Sequence, residues 1–153
     1  MRAMKHRAVL IGLILILAAG VSAPAQPRCV PTPPDDEGPF YKAGAPLREA
    51  TGKGLVVSGV VKSAATCQPI RGARIEWWQA NPRGEYDDAH RGSQLTGENG
   101  AYRFDTDFPP PYYGRPSHIH VKAEAKGYRQ LTTQLYPTGG QSAVAFDLVL
   151  VKE

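Results

Sequence analysis

Short apolar or alternating segments, separated by turns rich in Gly and Pro, recur along the chain after residue 50. The six clearest segments span residues 55–61, 73–79, 101–104, 117–125, 130–136 and 143–151. Segments of this length bounded by turn residues are typical of sandwich strands, and no stretch after residue 25 keeps a helical period over three turns. The pattern predicts an all-β chain: a β-sandwich of short, mostly antiparallel strands, with one domain over residues 51–153.

The N-terminal segment has a different pattern. Three basic residues are followed by an apolar run over residues 8–19 and by small residues at Ala23 and Ala25. This is the layout of a secretory signal peptide, and it predicts a signal over residues 1–25. A membrane anchor is the alternative, but the run is shorter than the roughly 20 apolar residues of a span. We therefore expect export to the periplasm or the outside, with no membrane anchor after cleavage.

The next segment, residues 26–50, is rich in Pro, Gly and Asp, and its composition predicts an irregular arm. Cys29 lies in this arm, and Cys67, the second of the two cysteines, lies in the domain. An even number of cysteines in an exported chain favours a disulfide. Such a bond would tie the arm to the domain and stabilise the fold by roughly 3–4 kcal/mol. Two free thiols are the alternative.

The net charge of the chain bears on which classes of binding partner the sequence supports. The chain has 18 Lys and Arg residues against 14 Asp and Glu residues. Three of the basic residues and none of the acidic ones fall in the predicted signal, which leaves 15 against 14. A nearly neutral chain gives no indication of nucleic acid or of an anionic membrane surface as a partner.

The segment at residues 117–125 carries a His-x-His pair. In a strand, successive side chains point to opposite faces, so His118 and His120 share a face with Lys122 and Glu124. The apolar residues of the segment share the other face, which must contact the core. Two imidazoles on one face lie roughly 6.5–7 Å apart at their Cα atoms and are able to converge on one ion. The pair therefore predicts a metal site.

Other candidate ligands lie near this pair in the sequence. A proline-rich loop just upstream brings Tyr112, Tyr113 and Arg115 close to the histidines, and an earlier turn carries Tyr86. A phenol has a pKa near 10, so a tyrosinate ligand at neutral pH requires a strong Lewis acid such as ferric iron. A three-histidine zinc site would need His90, which we expect in a polar loop, to fold over the pair.

Several motifs occur in a characteristic order along most of the mature chain. They are Gly38-Pro39-Phe40-Tyr41, Ile75-Glu76-Trp77-Trp78-Gln79-Ala80-Asn81, Gly84-Glu85-Tyr86, Arg91-Gly92, Thr96-Gly97-Glu98-Asn99-Gly100-Ala101-Tyr102-Arg103-Phe104, Tyr112-Tyr113-Gly114-Arg115-Pro116-Ser117-His118-Ile119-His120 and Thr133-Gln134-Leu135-Tyr136. Together they resemble the motifs of the intradiol ring-cleavage dioxygenases, the non-haem ferric enzymes related to catechol and protocatechuate dioxygenases.

This resemblance implies one ferric ion, Fe(3+), per chain. The residues that match the family's four ligands are Tyr86, Tyr112, His118 and His120. Tyr113 competes with Tyr112 for the second tyrosine position; Tyr112 is favoured because it lies three residues before Arg115, as in short members of the family. Arg115 matches the arginine beside the iron. Phe40, Tyr41 and Gln134 are similar to residues of the substrate pocket.

The resemblance also implies a reaction. A catechol-type aromatic and O2 would be the substrates, and the ring would open between its two hydroxyl-bearing carbons to a muconate-type diacid. Tyr112 would leave the iron and accept a proton, and Arg115 would stabilise developing negative charge. Larger members carry extra segments that wall the pocket and form dimers, so we expect a shallower pocket here and leave homo-oligomerisation open.

Two other classes of protein share parts of this pattern. His118, His120 and Glu124 fit the first metal motif of cupins, but no further histidine follows His120. A transthyretin-like β-sandwich that binds without catalysis would share the strand and turn motifs. A non-catalytic binding module would not need two tyrosines beside the histidine pair. Iron binding therefore distinguishes an enzyme from such a module.

Overall fold

The computed structural model describes residues 28–153, and the predicted signal peptide lies outside them. The described residues contain eight strands and no helix, and thus none of them forms a helix suited to crossing a membrane. The strands are β1 (Leu55–Ser63), β2 (Arg74–Ala80), β3 (Tyr86–Leu95), β4 (Ala101–Thr106), β5 (Ile119–Glu124), β6 (Leu131–Leu135), β7 (Ala143–Ala145) and β8 (Leu148–Leu150). The all-β prediction is confirmed.

Two four-stranded sheets pack face to face. One sheet has the order β4-β1-β7, with β8 also paired to β1, and the other has the order β3-β2-β5-β6. All pairs are antiparallel except those of β1 with β7 and β8. Trp77 on β2 stacks on Phe104 on β4 across the core, with ring centres 4.1 Å apart. The inner faces of the two sheets therefore form one continuous apolar core.

The last predicted strand, residues 143–151, is interrupted in the structure. Between β7 and β8, the carboxylate of Asp147 accepts a hydrogen bond from the Val60 backbone and pairs with Lys62. The carbonyl of Phe146 lies where a Cβ on Gly59 would stand, only 2.1 Å away. The chain is thus pulled across β1 at Gly59, and the strand divides in two. The Asp147 side chain replaces the backbone pairing that a continuous strand would make.

Strand β3 was missed by the sequence pattern, and the placement of His90 in a polar loop was wrong. The sequence of β3 is mostly polar because the strand lies at a sheet edge and buries only Gly92 and Ser93. His90 lies within this strand, where its Nδ1 is 2.8 Å from Asp87 Oδ1 and its Nε2 is 2.9 Å from Asp107 Oδ2. Both ring nitrogens are therefore occupied by carboxylates, away from the His118–His120 pair.

The N-terminal arm is irregular, as predicted, but it lies against both sheets. Cys29 and Cys67 form a disulfide. Further along the arm, the Thr32 amide donates to the carbonyl of Val149 and the Asp35 amide donates to the carbonyl of Thr132. These backbone bonds fix the direction of the arm, which then runs across the outer face of the β3-β2-β5-β6 sheet. Without the arm, this face of the sheet would be exposed to water.

The two carboxylates around His90 make the stability of the fold depend on pH. Burial lowers the pKa of His90, but hydrogen bonds to Asp107 and Asp87 outweigh it and raise that pKa above 6.5. Burial raises the pKa of Asp87, whereas hydrogen bonds from Asn81 and His90 hold it at about 2. The protonated imidazole and both carboxylates are thus favoured in the folded state.

We expect His90→Asn to destabilise the protein most between pH 3.8, the ordinary carboxyl pKa, and pH 6.5. Above pH 6.5 the difference from the wild type shrinks because the folded imidazole loses its proton, and below pH 3.8 it shrinks because the carboxylates are protonated. Urea unfolding of the metal-free wild type and variant across this range measures the difference. A difference that stays constant from about pH 5 to 9 would contradict this assignment.

Candidate metal centre

One cross-strand row underlies the site on the outer face of the second sheet. Arg91 on β3 pairs with Trp78 on β2, Trp78 pairs with His120 on β5, and His120 pairs with Gln134 on β6. The predicted alternation of β5 is confirmed, since Ile119, Val121 and Ala123 face the core. The histidine face is also buried, with His120 only 2% exposed, because the arm covers it.

The two predicted histidines converge on one tyrosine. The Nε2 atoms of His118 and His120 lie 3.3 Å and 3.1 Å from the hydroxyl oxygen of Tyr86. His118 Nδ1 is 2.8 Å from the carbonyl of Pro116, so it carries the proton, and its Nε2 lone pair is left for a ligand. Three donor atoms predicted from distant parts of the sequence therefore meet at one point.

Burial shifts the pKa values of His120 and Tyr86. It lowers the pKa of His120 to about 4, with a further contribution from His118, so the imidazole is neutral at pH 7. Burial also raises the pKa of Tyr86 to about 12; Tyr112 adds to this rise and Arg115 opposes it. A neutral imidazole is ready to bind a metal, whereas the Tyr86 phenol needs a strong Lewis acid to lose its proton.

The structure separates the two neighbouring tyrosines. The Tyr112 ring makes an edge contact with Tyr86 at 5.3 Å between centres and lies 5.8 Å from Phe40. Tyr113 is 91% exposed and contacts Tyr112 from the solvent side. Only Tyr112 is directed towards the cluster of His118, His120 and Tyr86, so its placement supports the choice of Tyr112 as the second tyrosine ligand.

A cavity of about 240 Å³ opens beside these donors. Its lining residues are Gly38, Pro39, Phe40, Tyr86, Tyr112, Tyr113, Arg115, His118 and His120. Phe40 forms one wall, and its ring stacks on Tyr86 with centres 4.3 Å apart. The cavity thus combines planar aromatic walls with one cationic group, and six of the nine residues come from the predicted site.

Gln134 lies beneath the site and does not line the cavity. Its Oε1 accepts a hydrogen bond from Arg115 at 2.8 Å, and its Nε2 donates to the carbonyl of Asp36 in the arm. Tyr136 also accepts from Arg115 and donates to the carboxylate of Asp35. Gln134 therefore positions the guanidinium of Arg115. Tyr136 and Asp35 are further positioning residues: Tyr136 belonged to a sequence motif without a predicted role, and Asp35 was not singled out.

Tyr41 lies on the far side of Phe40 from this cavity. Its ring packs on Trp78, and Trp78 in turn stacks on His120 with ring centres 5.0 Å apart. The ammonium of Lys122 lies 3.4 Å from the centre of the Tyr41 ring and pairs with Glu37. The alternation of side chains along the strand predicted that Lys122 shares a face with the histidines. Its contact with Glu37 of the arm was not predictable from the sequence.

The donor set fits a ferric ion. Among residues 28–153, no group of three His, Cys, Asp or Glu side chains is arranged to hold a metal. The two imidazoles instead share their position with the hydroxyl of Tyr86. Two imidazoles and two phenols provide nitrogen and hard oxygen donors. Two phenolates balance two of the three charges of Fe(3+), and a divalent ion would deprotonate such phenols less readily.

Comparisons with known proteins identify the family of this chain. A dioxygenase family model matches residues 27–151. The chain is 31% identical over 141 residues to a chlorocatechol 1,2-dioxygenase of Cupriavidus pinatubonensis, covering 70% of this chain and 55% of that protein. It is 32% identical over 146 residues to a catechol 1,2-dioxygenase of Acinetobacter baylyi, covering 71% and 47%. The chain belongs to the intradiol ring-cleavage dioxygenase family.

Solved structures show the same fold. The dioxygenase domain of a dioxygenase carbohydrate-binding protein fusion from Streptomyces sp. SirexAA-E is 36% identical, with a TM-score of 0.73, and the match covers 81% of this chain and all of that one. The catechol 1,2-dioxygenase of Acinetobacter radioresistens is 27% identical, with a TM-score of 0.69 and coverage of 82% and 64%. The chain spans about half the length of the curated relatives it matches.

Gly38 allows a direct test of the contact between the arm and the histidines. A Cβ at Gly38, where φ is +70°, would meet His120 Cε1 at 3.1 Å, whereas one at Gly44, where φ is +74°, would meet nothing within 4 Å. We expect Gly38→Ala and Gly44→Ala to cost similar stability from the shared left-handed backbone. Only Gly38→Ala should weaken ferric ion binding, because the added methyl group presses on the His120 ring; we expect a loss of about tenfold, which corresponds to about 1.4 kcal/mol.

Thermal unfolding and equilibrium titration with ferric ion measure the two effects separately. The Gly44→Ala variant is the matched control, because it carries the backbone strain without the contact. Equal ferric affinities in the two variants would show that the Gly38 contact does not set the geometry of the imidazole.

Proposed function

We propose that the chain is a non-haem ferric dioxygenase that opens the ring of a catechol-type aromatic between its two hydroxyl-bearing carbons. The observation that carries the proposal is the meeting of both imidazole Nε2 atoms at the hydroxyl of Tyr86, with Tyr112 at the edge of that ring. The site adjoins a cavity walled by aromatic rings. Membership of the intradiol family supports the same reaction.

In this reaction one carbon–carbon bond breaks, and both atoms of O2 enter the product. Each hydroxyl-bearing carbon becomes a carboxyl carbon, so the product is a muconate-type diacid. A ferric ion would lower the pKa of the bound catechol hydroxyls and withdraw electron density from the ring towards reaction with O2. The residues expected to hold that ion are Tyr86, Tyr112, His118 and His120.

The two tyrosines have different surroundings and therefore different roles. Tyr86 is held between Phe40 and the two imidazole nitrogens, so it suits a permanent ligand. Tyr112 belongs to a surface turn closed by mutual backbone bonds with Arg115. A side chain on such a turn is freer to move. The phenolate oxygen of Tyr112 is the group we expect to take up a proton when the catechol binds, which would give a neutral hydroxyl.

Arg115 and the cavity walls supply the remaining requirements. The guanidinium is held by Gln134 and Tyr136 and lines the cavity, so its charge is fixed before substrate arrives. A preorganised cation of this kind stabilises negative charge that develops on the substrate. The ring of Phe40 and the neighbouring Pro39 exclude water from one side of the bound ring.

Ferric loading tests the proposal. Tyrosinate bound to ferric iron absorbs visible light, so the loaded wild type should be burgundy. We expect Tyr112→Phe to lose part of this band and Tyr113→Phe to retain it, since only Tyr112 faces the donors. Oxygen uptake with catechol, protocatechuate and hydroxyquinol then identifies the preferred substrate.

The Tyr113→Phe variant controls for changes in the loop itself. Loss of the band in this variant alone would assign the ligand to Tyr113. A protein that stays colourless after iron loading would contradict the dioxygenase and favour a non-catalytic binding module of the same fold.

We also propose that the mature protein is exported after cleavage of residues 1–25. The disulfide between Cys29 and Cys67 supports this, because such bonds persist in oxidising compartments. Expression with the full N-terminus should yield a chain that starts at Gln26, with a mass two hydrogens below the reduced value. Intact-mass spectrometry before and after reduction measures both, and an uncleaved chain in the cytoplasm would contradict export.

A further inference from the structure

Every exposed large aromatic side chain among residues 28–153 lies around the mouth of the metal centre. Phe40 is 39% exposed, Tyr136 is 42% exposed and Tyr113 is 91% exposed. Phe40 and Tyr113 line the cavity, and Tyr136 holds Arg115 from the other side. The remaining exposed large hydrophobic residues are aliphatic and lie elsewhere: Val30, Leu47 and Leu95.

Tyr113 occupies a backbone conformation that an aromatic residue rarely adopts. Its φ is +44°, and the φ of Gly114 is +79°. The turn is closed by two backbone bonds between Tyr112 and Arg115. Two positive φ values in a row define a turn that favours Asn-Gly or Gly-Gly. A bulky residue at the first position costs free energy, and the folded protein gains no burial from this ring in return.

The size of the cavity shows where a larger substrate must go. Its volume is about 240 Å³, below the roughly 300–1,000 Å³ that encloses a drug-sized ligand. One aromatic ring fits against the donors, and any substituent beyond it leaves through the mouth. Tyr113 lies at that mouth, with its ring at the edge of Tyr112, 4.7 Å between centres.

We propose that Tyr113 is a specificity-determining residue that stacks on a second ring of an aryl-substituted catechol. The inference rests on the proposed function, since the first ring is the catechol at the metal centre. Aromatic rings attract each other in offset or edge arrangements, and the exposed ring of Tyr113 is available for such a contact. This contact would explain why a residue with a strained backbone conformation stands at this position. Tyr113 therefore favours two-ring catechols over catechol itself.

Binding under anaerobic conditions tests this without turnover. Calorimetric titration of the iron-loaded protein with catechol and with 4-phenylcatechol gives the ratio of the two affinities. We expect Tyr113→Gly to lower the preference for 4-phenylcatechol about fivefold, within the range expected for one aromatic pair. Tyr113→Phe should keep the preference, and Leu95→Ala, an exposed aliphatic change away from the site, should not affect it.

Thermal unfolding gives a second readout on the same variants. Because Gly adopts a positive φ without strain, Tyr113→Gly should raise the melting temperature while it lowers the preference for the second ring. A purely structural role for Tyr113 would lower the melting temperature instead.

An unchanged affinity ratio in Tyr113→Gly would overturn the proposal. If Tyr113→Gly also disrupts a dimer that the wild type forms, the ring is assigned instead to contact with a second copy of the chain. Absence of oxygen uptake with a reduced ratio in Tyr113→Gly would contradict the proposed reaction but support the binding role.

Discussion

Glu37 in the arm and Lys122 on β5 form an ion pair on the outer face of the second sheet, where the Lys122 side chain is only 5% exposed. A buried ammonium that loses its partner is strongly destabilising, so this pair ties the arm to the sheet. The next residues of the arm, Gly38 and Phe40, then lie against His120 and Tyr86. Without this contact the strands would leave the imidazoles facing water. With it, the two-sheet scaffold acquires a partly dry site on its outside.

Coverage by the arm shifts the pKa values of two donor residues. Burial keeps His120 neutral and Tyr86 protonated in the absence of metal, so the cluster carries little charge of its own. The fixed positive charge nearby belongs to Arg115, which is held by side chains of β6 and its end. An uncharged donor cluster beside one fixed cation is consistent with the proposed function, in which a ferric ion binds to the donors and Arg115 compensates an anionic ligand.

The parts that were predictable from the sequence are those with strong local patterns. The alternation of β5 places the histidines on one face, and the family motifs bring in Tyr86 and Tyr112, which the fold then gathers. Strand β3 was not predictable because an edge strand with little buried surface shows no apolar period. The division between β7 and β8 depends on Asp147 bonding to β1, and the positioning of Arg115 by Tyr136 depends on a contact between β6 and the arm. Such long-range contacts have no local signature.

The adjacent tryptophans on β2 illustrate how completely the two faces of one strand differ. Trp77 lies in the core against Phe104, and Trp78 lies outside the core against His120. They are the only two tryptophans in the chain. The tryptophan fluorescence of the protein therefore comes from two neighbouring residues in different environments. One indole senses the packing between the sheets, and the other stands within energy-transfer distance of any coloured metal complex at the histidines.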